Sequence, residues 1–61
     1  MTKSETRECL NIVRYIGAGM FDTAARAASA LYRSARTVKS QNAIFAFAMT
    51  HQLVSRADWI A

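Results

Sequence analysis

Cys9, Ile12, Val13 and Ile16 recur at the i, i+3, i+4, i+7 spacing of one buried helical face, and Arg7, Asn11 and Arg14 fall opposite. This pattern predicts a first helix over about residues 3–16. Thr2-Lys3-Ser4-Glu5 has the spacing of a capping box, in which Thr2 caps the backbone and Glu5 reaches back. Gly17-Ala18-Gly19 is a stop, because glycine adopts the left-handed conformation that closes a helix. A second helix is predicted over about 21–36, with Asp22 as N-cap. Its inner face is small (Ala24, Ala28, Ala35), with Phe21, Leu31 and Tyr32 as larger anchors. Its outer stripe is Asp22, Arg26, Ser29, Arg33 and Arg36.

The third segment has a different pattern. Ala43-Ile44-Phe45-Ala46-Phe47-Ala48-Met49, followed by Leu53 and Val54, is apolar almost all the way around a helix. A helix of that kind, predicted over about 41–56, calls for burial on every side. The junction Thr37-Val38-Lys39-Ser40 has neither Gly nor Pro. Thr37 or Ser40 can cap a new helix there, and a single long rod is the alternative; a break is expected. Asp58-Trp59-Ile60-Ala61 reads as a frayed end.

Composition narrows the class. The chain has 61 residues, no proline, two glycines and 52% hydrophobic residues. Turn residues for a sheet are missing, so the expected fold is all-α: two to three short helices in one small domain, 1–61. A domain of about this size buries only about 60% of the surface its unfolded chain exposes. Cys9 is the only cysteine, which excludes an internal disulfide. Oligomerisation, most simply as a helical homodimer, or very good helix packing is the remaining route to stability, and the homodimer is expected. Ile44, Phe45, Phe47, Ala48, Met49, Leu53 and Val54 are its candidate interface, with the third helix packed on the first.

Candidate chemistry changes this picture little. Cys9, His51 and four carboxylates show no ligand spacing, so no metal is expected. No nucleophile–base pair is visible, and the expectation is no enzyme and no cofactor. Cys9 lies on an apolar face with no Lys or His beside it to lower its pKa, which reads as a buried structural thiol. His51 falls on the arc between Phe47 and Ile44. It is either a titratable interface group or a hydrogen-bonded boundary histidine.

The net charge is +4. Arg26, Arg33 and Arg36 lie within about 80° on a helix, and Lys39 extends the stripe. Such a stripe either tracks phosphates or is a solvated face in which Asp22 pairs with Arg26 at i, i+4. A helix-turn-helix fits the Gly17-Ala18-Gly19 turn loosely. Its reading helix would open with Phe21-Asp22-Thr23-Ala24, which is poor for base recognition. No run approaches the roughly 20 apolar residues of a membrane span. Nor does the N-terminus have the apolar core of a signal peptide. No membrane partner is expected, and a lone free thiol fits a reducing cytosol.

Two runs carry a resemblance. They are Glu5-Thr6-Arg7-Glu8-Cys9-Leu10-Asn11-Ile12-Val13-Arg14-Tyr15 and the stretch from Thr23-Ala24-Ala25-Arg26 through Leu31-Tyr32-Arg33-Ser34-Ala35-Arg36-Thr37 to Gln41-Asn42-Ala43-Ile44. Together they resemble small early-region proteins of lambdoid temperate phages, encoded between the recombination and excision genes. The likeness covers most of residues 5–44, contains no diagnostic motif and transfers no catalytic residue. It implies a helical, non-enzymatic accessory protein in the host bacterial cytoplasm, linked to the choice between lysis and lysogeny. The expected partners are a second copy and a host or phage protein. A basic DNA- or RNA-binding regulator using Arg26, Arg33, Arg36 and Lys39 is the alternative.

Overall fold

The computed structural model describes residues 1–60. It is all-α: α1 spans Lys3–Gly17, α2 Phe21–Ser34 and α3 Val38–Thr50, with no strand among the described residues. Helix α2 lies in the middle and packs against both α1 and α3.

The capping box forms as the sequence predicts. Thr2 Oγ1 accepts from Glu5 N at 3.2 Å, and Glu5 Oε1 accepts from Thr2 N at 2.7 Å. At its other end α1 closes in a Schellman motif. Met20 N donates to Tyr15 O at 2.8 Å and Gly19 N to Ile16 O at 3.0 Å, with Gly19 at φ +76°. Of the two glycines, Gly19 fills the left-handed position, while Gly17 ends the helix proper.

The break between α2 and α3 is present and earlier than expected. Helix α2 ends at Ser34, whose Oγ donates to Leu31 O at 3.1 Å. Thr37 is extended and accepts from Ser40 N at 3.0 Å, so Thr37 is the cap and α3 starts at Val38 rather than 41. Asp22 is not the N-cap of α2. Met20 holds that place with no side-chain bond, and Asp22 sits in the first turn.

Helix α3 is shorter than the sequence predicts, ending at Thr50 instead of about Arg56. A second Schellman motif closes it. Leu53 N donates to Ala48 O at 2.8 Å and Gln52 N to Met49 O at 3.0 Å, with Gln52 at φ +60°. That turn drives Leu53 into the core, where it is fully buried beside Ala48. Residues 54–60 then run back over α2 in successive turns. Trp59 packs against the core, so the expected frayed end is docked; Ala61 lies outside the described residues.

The core is Ile12 from α1, Ala24, Ala25 and Ala28 from α2, Ala48 from α3, and Leu53. Cys9 and Ile44 are buried as well. Three alanines on α2 let neighbours lie against both of its flanks, at the cost of little buried area per residue. Two faces differ from the expected patterns. Ser29 is fully buried, not on the outer stripe, and its Oγ donates to Arg26 O at 3.0 Å. Val13 is exposed, because only one side of α1 meets α2.

Candidate interaction surfaces

Helix α3 has one covered side. Ser40, Ile44 and Ala48 face inward and are buried. With Leu53, two of these candidate interface residues, Ile44 and Ala48, belong to the chain's own core. Ile44, Ala48 and Leu53 are thus fully buried within the single chain, whereas the interface drawn from hydrophobicity has them facing a second copy. Phe47 and Val54 are half-buried against the same core.

The opposite side of α3 is open. Val38 is 70% exposed, Met49 56% and Phe45 37%, and Asn42 and Ala46 are exposed between them. Steps of four, three and four residues put Val38, Asn42, Phe45 and Met49 on one face. Beside it lies an aromatic trio. Tyr32 and Phe45 have ring centroids 5.9 Å apart, Tyr32 and Trp59 5.7 Å, and Phe45 and Trp59 6.2 Å. Ile60, next to Trp59, is exposed. The hydrophobic surplus therefore survives folding, on different residues: Phe45 and Met49 from the sequence-derived set, joined by Val38, Tyr32, Trp59 and Ile60. Thr37 as cap was the signal that places Val38 in α3.

The basic stripe is divided by ion pairs. Arg26 Nη2 meets Asp58 Oδ1 at 2.8 Å, not Asp22 as the i, i+4 spacing predicts. Arg56 Nη2 lies 3.5 Å from Asp22 Oδ1, and its guanidinium sits 5.0 Å above the Phe21 ring. The Arg26 guanidinium holds the Asp58 carboxyl below its usual range, first by hydrogen bonding. No Asp or Glu lies between Asp22 and Asp58 in the sequence. Arg33, Arg36 and Lys39, all exposed, make no ion pair among the described residues. They gather at the α2–α3 corner, where successive Cα atoms 3.8 Å apart keep Arg33 and Lys39 within about 11 Å of Arg36.

Arg36 borders a cleft with Thr2, Ser4, Glu5, Thr37 and Ser40. Glu5 is the one acid there. The Thr2 backbone N–H, above all, holds its carboxyl below the ordinary range, and Ser40 adds a hydrogen bond from Oγ at 3.1 Å.

Cys9 is buried, with Sγ 3.9 Å from Met1 Sδ. Burial pushes its thiol up, and Glu5 and Glu8 add to the shift, which works against thiolate chemistry. The His51 ring packs edge-on against Phe47 at 4.7 Å. No group of three or more His, Cys, Asp or Glu able to hold a metal occurs among the described residues, and no helix there is long and apolar enough to cross a membrane. The chain matches no known protein family, no curated protein and no solved structure.

Proposed function

We propose that this is a non-enzymatic interaction protein that works by association through the outer face of α3, as a homodimer that presents its remaining surface to a host or phage protein. The single observation that carries this reading is the apolar stripe Val38, Phe45 and Met49, exposed along α3 and bordered by the Tyr32–Phe45–Trp59 trio. Exposed apolar residues grouped on one face, here with a single polar residue, Asn42, among them, mark interaction sites. Its aromatic residues are the type that anchors interfaces. A role in the host cytoplasm, in the choice between lysis and lysogeny, rests on the resemblance of residues 5–44 to early-region phage proteins.

Light scattering on a sizing column, over a range of concentrations, tests the proposal. A mass near twice 6.8 kDa that persists on dilution is expected. A monomer at all concentrations would remove self-association from the reading.

A second reading, a small nucleic-acid-binding regulator, is favoured by one observation: Arg33, Arg36 and Lys39 gather at one corner and make no ion pair among the described residues. Arg26 drops out of this set through its pair with Asp58. Three phosphate contacts give a slope of about −2.7 in log affinity against log salt. A gel shift of duplex DNA at low salt, lost in the triple Ala variant of Arg33, Arg36 and Lys39, supports this reading. No shift at low salt removes it, because the phosphate attraction is strongest there.

A further inference from the structure

We infer that α3 pairs with the α3 of a second copy in antiparallel sense, each Val38 seated against the partner's Met49. The inference rests on the reading of α3's outer face as the interaction surface and adds its geometry.

Spacing is the first argument. The outward residues Val38, Asn42, Phe45 and Met49 follow steps of four, three and four, which read the same in reverse. A two-fold axis midway between Asn42 and Phe45 brings Val38 opposite the partner's Met49 and Asn42 opposite the partner's Phe45. Such self-complementarity is what a closed two-fold interface requires.

Charge is the second. Arg36 and Lys39 stand at the N-terminal end of α3, whose first turn has no acid and whose last turn has no base. Cations there meet the positive end of their own helix dipole. In an antiparallel pair each Lys39 comes alongside the carbonyl end of the partner helix, where a cation is favoured. In a parallel pair the two Lys39 ammoniums and the two positive helix ends lie side by side and repel.

Asn42 is the third. It lies one and a half residues from the axis, so the two amides come within about 4.5 Å of each other along the helix direction. An amide offers both donors and an acceptor, so two of them satisfy each other. One polar residue inside an apolar helix contact fixes register and orientation.

The extent is adequate only if the flank takes part. A standard interface covers about 800 Å² per partner. That is about a fifth of this chain's 4119 Å². Helix α3 is about 20 Å long at 1.5 Å per residue, which is a narrow strip by itself. Trp59 and Ile60 beside it widen the contact.

Cysteine pairing tests the geometry. In a Cys9→Ala background, Val38→Cys and Met49→Cys are made separately, checked for helicity by circular dichroism and sized by light scattering, then oxidised alone and mixed. Both positions are largely exposed, so the fold tolerates them. The expected result is dimeric mass, a disulfide-linked dimer only in the mixture, and none in either variant alone. Residues 38 and 38 of the two chains then lie about 16 Å apart along the axis, beyond disulfide reach. Dimeric mass with self-linking of the single variants, or with no linking in the mixture, overturns the antiparallel pairing and leaves self-association standing. A helical monomer overturns both.

Discussion

Gly19 and Gln52 occupy the same place in the same motif. Each is the left-handed residue of a Schellman turn, at φ +76° and φ +60°, one closing α1 and the other α3. Glycine adopts this conformation freely, whereas an L side chain costs about 1–2 kcal/mol there. Gly19→Ala is therefore expected to destabilise by about 1 kcal/mol, and Gln52→Gly to stabilise by roughly 0.5–1 kcal/mol once the glycine's greater unfolded freedom is set against it. For a domain of this size about 1 kcal/mol moves Tm by about 4–8 °C, so thermal melts of the two variants should shift in opposite directions. Equal shifts, or shifts of one sign, would contradict the shared motif.

Glu5 gives the fold an acid-sensitive clasp. Its Oε1 accepts from the Thr2 backbone and from Ser40 Oγ, which joins the start of α1 to the first turn of α3. Its carboxyl is held lower in the folded chain than in the unfolded one, where it has the ordinary carboxylate value. The stability it contributes is present in full above that value and is lost as pH falls through the lower, folded pKa. Asp58 acts in the same direction through Arg26. Urea melts from neutral pH down to about pH 2 should show a stability decline on the acid side. Glu5→Gln should lower stability at neutral pH and flatten that decline.

The middle helix has no room for larger side chains. Ala28 is fully buried in α2, the helix that packs on both α1 and α3. Ala28→Leu should cost about 1–3 kcal/mol through overpacking. Ala30 on the outer face of the same helix is exposed. Ala30→Leu should leave Tm nearly unchanged, and the pair of melts separates packing from helix propensity.

Trp59 reports whether the C-terminal segment is docked. Its ring meets Tyr32 and Phe45, and the Arg26–Asp58 pair sits one residue before it. Trp59→Ala should destabilise by about 2 kcal/mol, roughly half the range for fully buried aromatics. In Asp58→Asn the tryptophan emission should move to longer wavelength as the segment loosens. An unchanged spectrum would mean that apolar packing alone holds it.

Val38→Asp separates association from folding. Val38 is the first residue of α3, where an acid interacts favourably with the helix dipole, by about 0.3–1 kcal/mol. The same carboxylate on the outer face would oppose an apolar partner. Helicity should be kept while the mass in solution falls to that of one chain. Dimeric mass in this variant would place the contact elsewhere.

The sequence by itself determined what is local. The Thr2–Glu5 box, the Gly19 stop and the face through Cys9 and Ile12 depend on residues within one or two turns of each other, so their spacing was enough to place α1. The all-α class followed from composition, since the turn residues that a sheet needs between short strands are missing. Tertiary structure decided the rest. The end of α3 has no glycine or proline to announce it; Gln52 takes the left-handed conformation in the turn that delivers Leu53 into the core. Arg26 chooses Asp58, 32 residues away, over Asp22 on its own helix, and that choice depends on where the C-terminal segment lies. Ser29 is polar by type yet fully buried, with its hydroxyl satisfied by Arg26 O on its own helix. Which part of the apolar excess on α3 would be covered, Ile44 and Ala48, and which left open, Val38, Phe45 and Met49, was a matter of how α2 docks. Periodicity is weak in a helix that is apolar on every side, so only the packed arrangement picks its inner face.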